Sequence, residues 1–299
     1  MFKIKKNSDT QKSMKTRSSR MRDLNSSGGL ESFASFWWPL PTLLEWEWSG
    51  TAISQDFKNV IKDVDPTLFK TLTDAGQGSP TMFDRRTNSF NRVENAHLFN
   101  TEYSDGLKFQ VQVNPEFRQS EARNYAEQYA KVIGKLPTAL RRDVKTVWIH
   151  DGDKPFGGGN KSLLIHVIRG DNYIKDGNLE EILIHEASHT SLDSYIYDPK
   201  WKDKWKDKWK EAQEKDNKYI STYAAIEDEN NIKGGREDIA ESFLAYFAVT
   251  YRIDKDRIST VTSDKITSTI PNRIKFFDSL IDSLNLDMYP YVKSPLKPS

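Results

Sequence analysis

Two histidines one helical turn apart, with a glutamate between them, constrain this chain more than any other feature. In Ile184-His185-Glu186-Ala187-Ser188-His189, positions 185 and 189 share a helix face, because residues i and i+4 stack along it. Both imidazoles can then reach one metal ion, with Glu186 projecting beside it. Such a helix still needs an apolar side, and Leu179, Ile182, Leu183 and Leu192 supply one. A helix from about Asn178, packed against a sheet, is therefore expected. Its two imidazoles require a third ligand from elsewhere in the chain.

That third ligand cannot be a thiolate. The 299 residues include no cysteine, which removes disulfides, thiol nucleophiles and Cys-ligated zinc and leaves His, Asp or Glu. Of the five histidines, His150 and His166 read as strand residues satisfied within the sheet rather than as ligands. The better source is a second amphipathic helix at about 235–251, in which Ile239, Phe243 and Phe247 turn inward. Its Glu237 and Glu241 are again i and i+4 and face the same way. One can bind the metal while the other accepts the free N–H of a ligand histidine. Spacing alone leaves both registers open. Two His and one Glu leave a fourth tetrahedral position for water, the mark of a catalytic rather than a structural zinc site. At average composition the pentapeptide arises by chance in about 1% of chains this long, so the surrounding acids carry much of the argument.

His185-Glu186-x-x-His189 is the arrangement of zinc hydrolases, mostly peptidases. With Asp193 four residues further along the expected helix and Glu237-Asp-Ile-Ala-Glu241 on the second, the chain resembles the gluzincin metallopeptidases, the thermolysin and lethal-factor-like branches among them. The likeness covers roughly residues 145–250. It implies a zincin-like catalytic domain holding one Zn2+ on His185, His189 and Glu237. It implies Glu186 as general base, with Asp193 and Glu241 orienting the two histidines. It also implies that Tyr223, in Ser221-Thr222-Tyr223, donates to the oxyanion, although a loop over 225–235 separates it from Glu237. An edge strand before the motif helix would pair with an extended peptide or protein substrate. Ser162–His166 stands in that place, and Gly157, Gly158, Gly159 and Asn160 beside it are the expected substrate-binding residues, since glycines permit close backbone approach. Such peptidases are usually exported, so the resemblance suggests secretion. A zinc-bearing module that cleaves nothing and a zinc amidase acting on a non-peptide amide are the alternatives.

Residues 1–48 read as a basic, weakly ordered extension, and 49–299 as the domain. Strands are expected at 82–86, 95–100, 108–113, 146–150 and 162–168. Helices are expected at 119–133, from 178, near 200–215, at 235–251 and at 272–284, with mixed helix and loop over 54–72. Strands precede helices, so the class is α+β. Trp201, Trp205 and Trp209 recur every four residues and form a stripe that packs on the domain. A net charge of +1 leaves no basic face for nucleic acid, and no run approaches the roughly 18–20 apolar residues of a membrane-spanning helix.

Overall fold

The computed structural model describes residues 57–198, 200, 202–226, 235–253 and 257–294. The expected extension over 1–48 and Trp201 lie outside them, as does most of the loop before the second helix. Five strands come first: β1 (Phe69–Gly78), β2 (Thr81–Asp84), β3 (Ser89–Arg92), β4 (Ala96–Tyr103) and β5 (Lys108–Val113). Helices α1 (Gln119–Ile133) and α2 (Thr138–Arg141) lead to β6 (Thr146–His150), β7 (Gly157–Gly159) and β8 (Ser162–His166). The rest is helical: α3 (Val167–Asp176), α4 (Leu179–Ser191), α5 (Asp193–Tyr197), α6 (Lys202–Asp216), α7 (Arg236–Tyr251), α8 (Thr260–Thr269) and α9 (Pro271–Leu284). The class is mixed α+β, and among the described residues no helix is long and apolar enough to cross a membrane.

Six strands form one sheet in the order β1-β4-β5-β6-β8-β7, and β2 with β3 forms a separate hairpin. The pairs β5/β6 and β6/β8 are parallel, whereas β1/β4, β4/β5 and β7/β8 are antiparallel. Alternation sorts the two faces. Val111, Val113, Val147, Ile149, Leu163 and Ile165 enter the main core beneath the helices. Trp148 and Leu164 point the other way and are covered by Met82 and Phe83 of the hairpin.

Several expectations need correction. Residues 69–72, read as the end of a helix-and-loop stretch, open β1 (Phe69–Gly78), a largely exposed edge strand whose register shifts twice against β4. Ser162–His166 is not the sheet edge, because β7 lies outside it. Nor does β8 continue to residue 168, since α3 begins at Val167. The motif helix ends at Ser191, so Asp193 opens the short helix α5 rather than continuing α4. Asn160 is a turn residue: with Lys161 it forms the two-residue link between β7 and β8, both at positive φ (48° and 62°). That is the geometry of a type I′ hairpin turn, in which Asn is favoured.

The motif helix is buried on nearly every side, from Glu181 through Ser188 without a break. What lets it sit so deep is β7. A Cβ at Gly158 would overlap the carbonyl oxygen of Glu186, so only glycine allows strand and helix to meet there. Thr190 fixes the same contact. Its Oγ1 accepts from the Gly159 N–H (3.0 Å) and donates to the Ser162 carbonyl (3.1 Å). At the other end of α4, Glu181 accepts the Val60 N–H (2.6 Å), while Arg252 at the end of α7 donates to the Val60 carbonyl (2.9 Å). The chain around Val60 thus straps both helices. Further out, Trp205 and Trp209 of α6 are buried on Phe276 and Phe277 of α9. Arg273 of α9, fully buried, pairs with Asp216 (3.0 Å) and Asp238 (2.9 Å), joining α6, α7 and α9.

Two stability predictions follow from this packing. Gly158→Ala is expected to cost about 1–3 kcal/mol or more, the range for overpacking, read as a lower urea midpoint. Burial lifts the Glu181 carboxyl from 4.5 to about 8, against its backbone hydrogen bonds. Folding therefore favours the neutral acid. That contribution is complete below pH 4.5 and is lost as pH rises through about 8. Glu181→Gln, which is neutral throughout, is expected to melt higher than wild type at pH 9, with the gain disappearing near pH 4.5.

Candidate metal centre

Side by side on α4, the His185 and His189 rings have centroids 4.8 Å apart at 80°. Their Nε2 atoms face each other at 3.1 Å. From α7, Glu237 brings Oε2 to 3.1 Å from His185 Nε2 and 3.4 Å from His189 Nε2. Three ligating atoms thus form a nearly regular triangle. Ligand atoms about 2.0–2.1 Å from a tetrahedral zinc lie about 3.3–3.4 Å from one another, so the triangle matches one face of such a site. It is the one convergent group of three metal-ligating side chains found among the described residues. The Glu237 side chain is 24% exposed and His185 only 1%, so the group opens toward solvent on the Glu237 side.

The far nitrogens of both rings are taken by buried acids. His185 Nδ1 bonds Glu241 Oε1 and His189 Nδ1 bonds Asp193 Oδ2, each at 3.0 Å. Glu241 in turn accepts from Ser221 Oγ (2.8 Å), and Ser221 Oγ accepts the Ala224 N–H (2.9 Å). In the neutral ring a metal requires, a carboxylate behind each imidazole would keep the hydrogen on Nδ1 and turn the Nε2 lone pair to the ligand position. The geometry therefore separates the two registers left open by spacing: Glu237 has its oxygen in the triangle, and Glu241 stands behind a ring.

Charge agrees with geometry. Burial alone would depress the His185 imidazole, but Glu237 and Glu241 override it and lift the group to about 9. At His189 burial is likewise overcome, by Asp193 and Glu237, and the imidazole is held well above its usual value. Burial would raise the Glu237 carboxyl, yet His189 and His185 hold it well below the usual range. The cluster is built to hold positive charge among acids.

Glu186 is buried at 4% exposure, and its carboxylate makes no hydrogen bond or ion pair among the described residues. Tyr223 lies over the His185 ring, with centroids 5.8 Å apart at 46°. Burial and the acids Glu237, Glu186 and Glu241 all raise its hydroxyl, keeping it protonated. Gly157, Gly158 and Gly159 form β7 at the sheet edge and lie against α4, whereas Asn160 belongs to the turn beyond. His150 and His166 stack on each other at 5.5 Å, away from the triangle. Each has a partner on Nδ1, namely Asn114 and the Asp151 carbonyl. Neither buried Nε2 has one among the described residues, so the expectation that both are satisfied in the sheet is only half met. Sequence reading missed Ser221, the hydroxyl behind Glu241, and Arg236, whose Nε lies 3.9 Å from Asp193. No spacing pattern marks either residue.

Comparison with family models, with curated proteins and with solved structures gives no match to this chain. The class rests on the fold and the site themselves: an α+β domain carrying a candidate His-His-Glu metal centre between two buried helices. Elemental analysis is expected to find one zinc per chain, abolished by His189→Ala. Glu241→Ala is expected to weaken zinc binding by about 10–100-fold, the usual cost of removing a carboxylate behind a ligand histidine.

Proposed function

We propose that this protein is a zinc-dependent metallopeptidase of the gluzincin type. The observation that carries the reading is the triangle of His185, His189 and Glu237, open on one side and backed by a carboxylate on each imidazole. Structural zinc sites close all four positions with protein ligands, whereas a three-ligand set leaves one for solvent. When bound there, zinc would acidify a water toward neutrality and polarise a carbonyl.

The remaining chemistry belongs to the chain. Glu186, directly after the first ligand and without a hydrogen bond or ion pair among the described residues, is positioned to take a proton from the attacking water and pass it to the leaving amine. Tyr223 keeps its proton and stands over His185, where its hydroxyl can donate to the carbonyl oxygen as negative charge grows there. Glu241 and Asp193 hold the rings still while this happens. β7 is the outermost strand, and an extended peptide lying along it would pass over Glu186. The Gly159 N–H is already given to Thr190, so pairing there would use the other backbone groups of the strand.

The test is Glu186→Gln. The variant is expected to fold and to hold one zinc while losing peptide hydrolysis, by about 10²-fold or more, in a cleavage assay on a mixed peptide library. Full activity in that variant, with zinc present, would remove the assignment. Zinc content without cleavage in wild type would favour a binding module instead.

A further inference from the structure

The hydroxyl of Ser221 has both of its hydrogen-bonding roles fixed. A backbone N–H can only donate, so Ala224 gives its hydrogen to Ser221 Oγ (2.9 Å), and the hydroxyl's own hydrogen goes to Glu241 Oε2 (2.8 Å). Ser221 is 2% exposed and Glu241 fully buried. The first bond is local and closes a turn of the kind serine favours. The second reaches twenty positions along the chain to α7 and ends on a carboxylate, which makes it the stronger of the two. Capping the turn uses only the oxygen lone pair, so it does not account for that second bond.

The turn carries Tyr223. Two backbone bonds tighten it, from the Ala225 N–H to the Thr222 carbonyl and from the Ile226 N–H to the Tyr223 carbonyl, each at 3.1 Å. Ile220 and Ala224 anchor it in the main core, and the Tyr223 ring comes to 5.8 Å from that of His185. Glu241 divides its carboxylate: Oε1 meets His185 Nδ1 at 3.0 Å, and Oε2 takes the Ser221 hydrogen. The contacts close on themselves. From Tyr223 the path runs to its neighbour Ala224, through the Ser221 hydroxyl to Glu241, on to His185, and back to Tyr223 across the two rings. Without the hydroxyl, a buried N–H and one oxygen of a buried carboxylate lose a partner, and the turn is no longer tied to the acid.

We propose that Ser221 is a positioning residue that holds the His185 imidazole, through Glu241, and the Tyr223 hydroxyl, through the turn, in one fixed relation. A donor to a developing oxyanion works only when placed within about 0.5 Å of its productive position. The metal-binding imidazole is the reference for that position, and one hydroxyl ties the donor to it. The oxyanion half of the inference rests on the peptidase reading, whereas the hold on His185 rests on the metal centre alone.

Two double-mutant cycles on the full-length protein test the proposal. The first reads zinc affinity by competition with a chelator. Ser221→Ala is expected to weaken zinc binding about tenfold, the worth of one hydrogen bond to a charged group, and to have no further effect in the Glu241→Ala protein. The second reads peptide hydrolysis at saturating zinc, so that lost affinity does not enter. Tyr223→Phe is expected to lower kcat by about 10²-fold. Ser221→Ala is expected to lower kcat about tenfold with KM little changed, as when an interaction made only in the transition state is lost, and to lower it no further in the Tyr223→Phe protein. Circular dichroism and melting temperature establish that each variant is folded. A merely structural role would lower zinc affinity or kcat by the same factor in both backgrounds, and that additive result in either cycle overturns the inference. Unchanged zinc affinity in Ser221→Ala also overturns it, and neither result touches the peptidase reading. If zinc-loaded wild type cleaves nothing while the zinc cycle is non-additive, the peptidase reading and the oxyanion half fall together, and the hold of Ser221 on His185 stands.

Discussion

His185 is held at both ring nitrogens by one helix, through Glu241 on Nδ1 and Glu237 on Nε2. The two acids are i and i+4 on α7, so a single face of that helix grips both sides of one imidazole. Every other part of the centre is placed relative to this clamp. His189 follows because it is one turn along α4, Glu186 because it is the next residue, and Tyr223 because its ring rests on His185. Burying so many charged groups is favourable only when they are paired and hydrogen-bonded. The packing beneath them supplies that certainty of position: Arg273 pins Asp238, the neighbour of Glu237, while Arg252 and Glu181 hold the chain at Val60 across both helices.

What sequence reveals here depends on whether a residue's role is periodic. The convergence of His185, His189 and Glu237 is legible because i and i+4 spacing on two helices forces the groups onto common faces. β5 is legible because Lys108–Val113 alternates, and α1 because Gly134 and Pro137 end it. Gly134 is nonetheless right-handed (φ −62°), and its lack of a side chain makes room for Thr67 and Phe69. The cap signal gives the right boundary through a different physical cause. β1 carries almost no signal, since an edge strand with two register shifts exposes most of its side chains. The start of α3 is hidden because Val167-Ile168 reads as more strand, and α8 because its Thr- and Ser-rich sequence has weak helix propensity.

In the site, the illegible residues are those that act singly. Ser221 reaches Glu241 from a turn, and Arg236 stands 3.9 Å from Asp193. Neither sits at a repeating interval from the histidines, so only the folded chain brings them near. The three glycines show a subtler gap. Their pattern correctly signals a close backbone approach, but the backbone approached is the Glu186 carbonyl of the protein's own helix.

Thr190 stands next to His189 in sequence and bonds β7 and β8 with a single hydroxyl. Strand edge and ligand helix are therefore one mechanical body. A chain drawn tight along β7 would load the helix within one residue of a ligand imidazole, while a slack or misaligned one would leave that imidazole undisturbed. On the peptidase reading, that hydroxyl would carry strain from the strand edge to the motif helix.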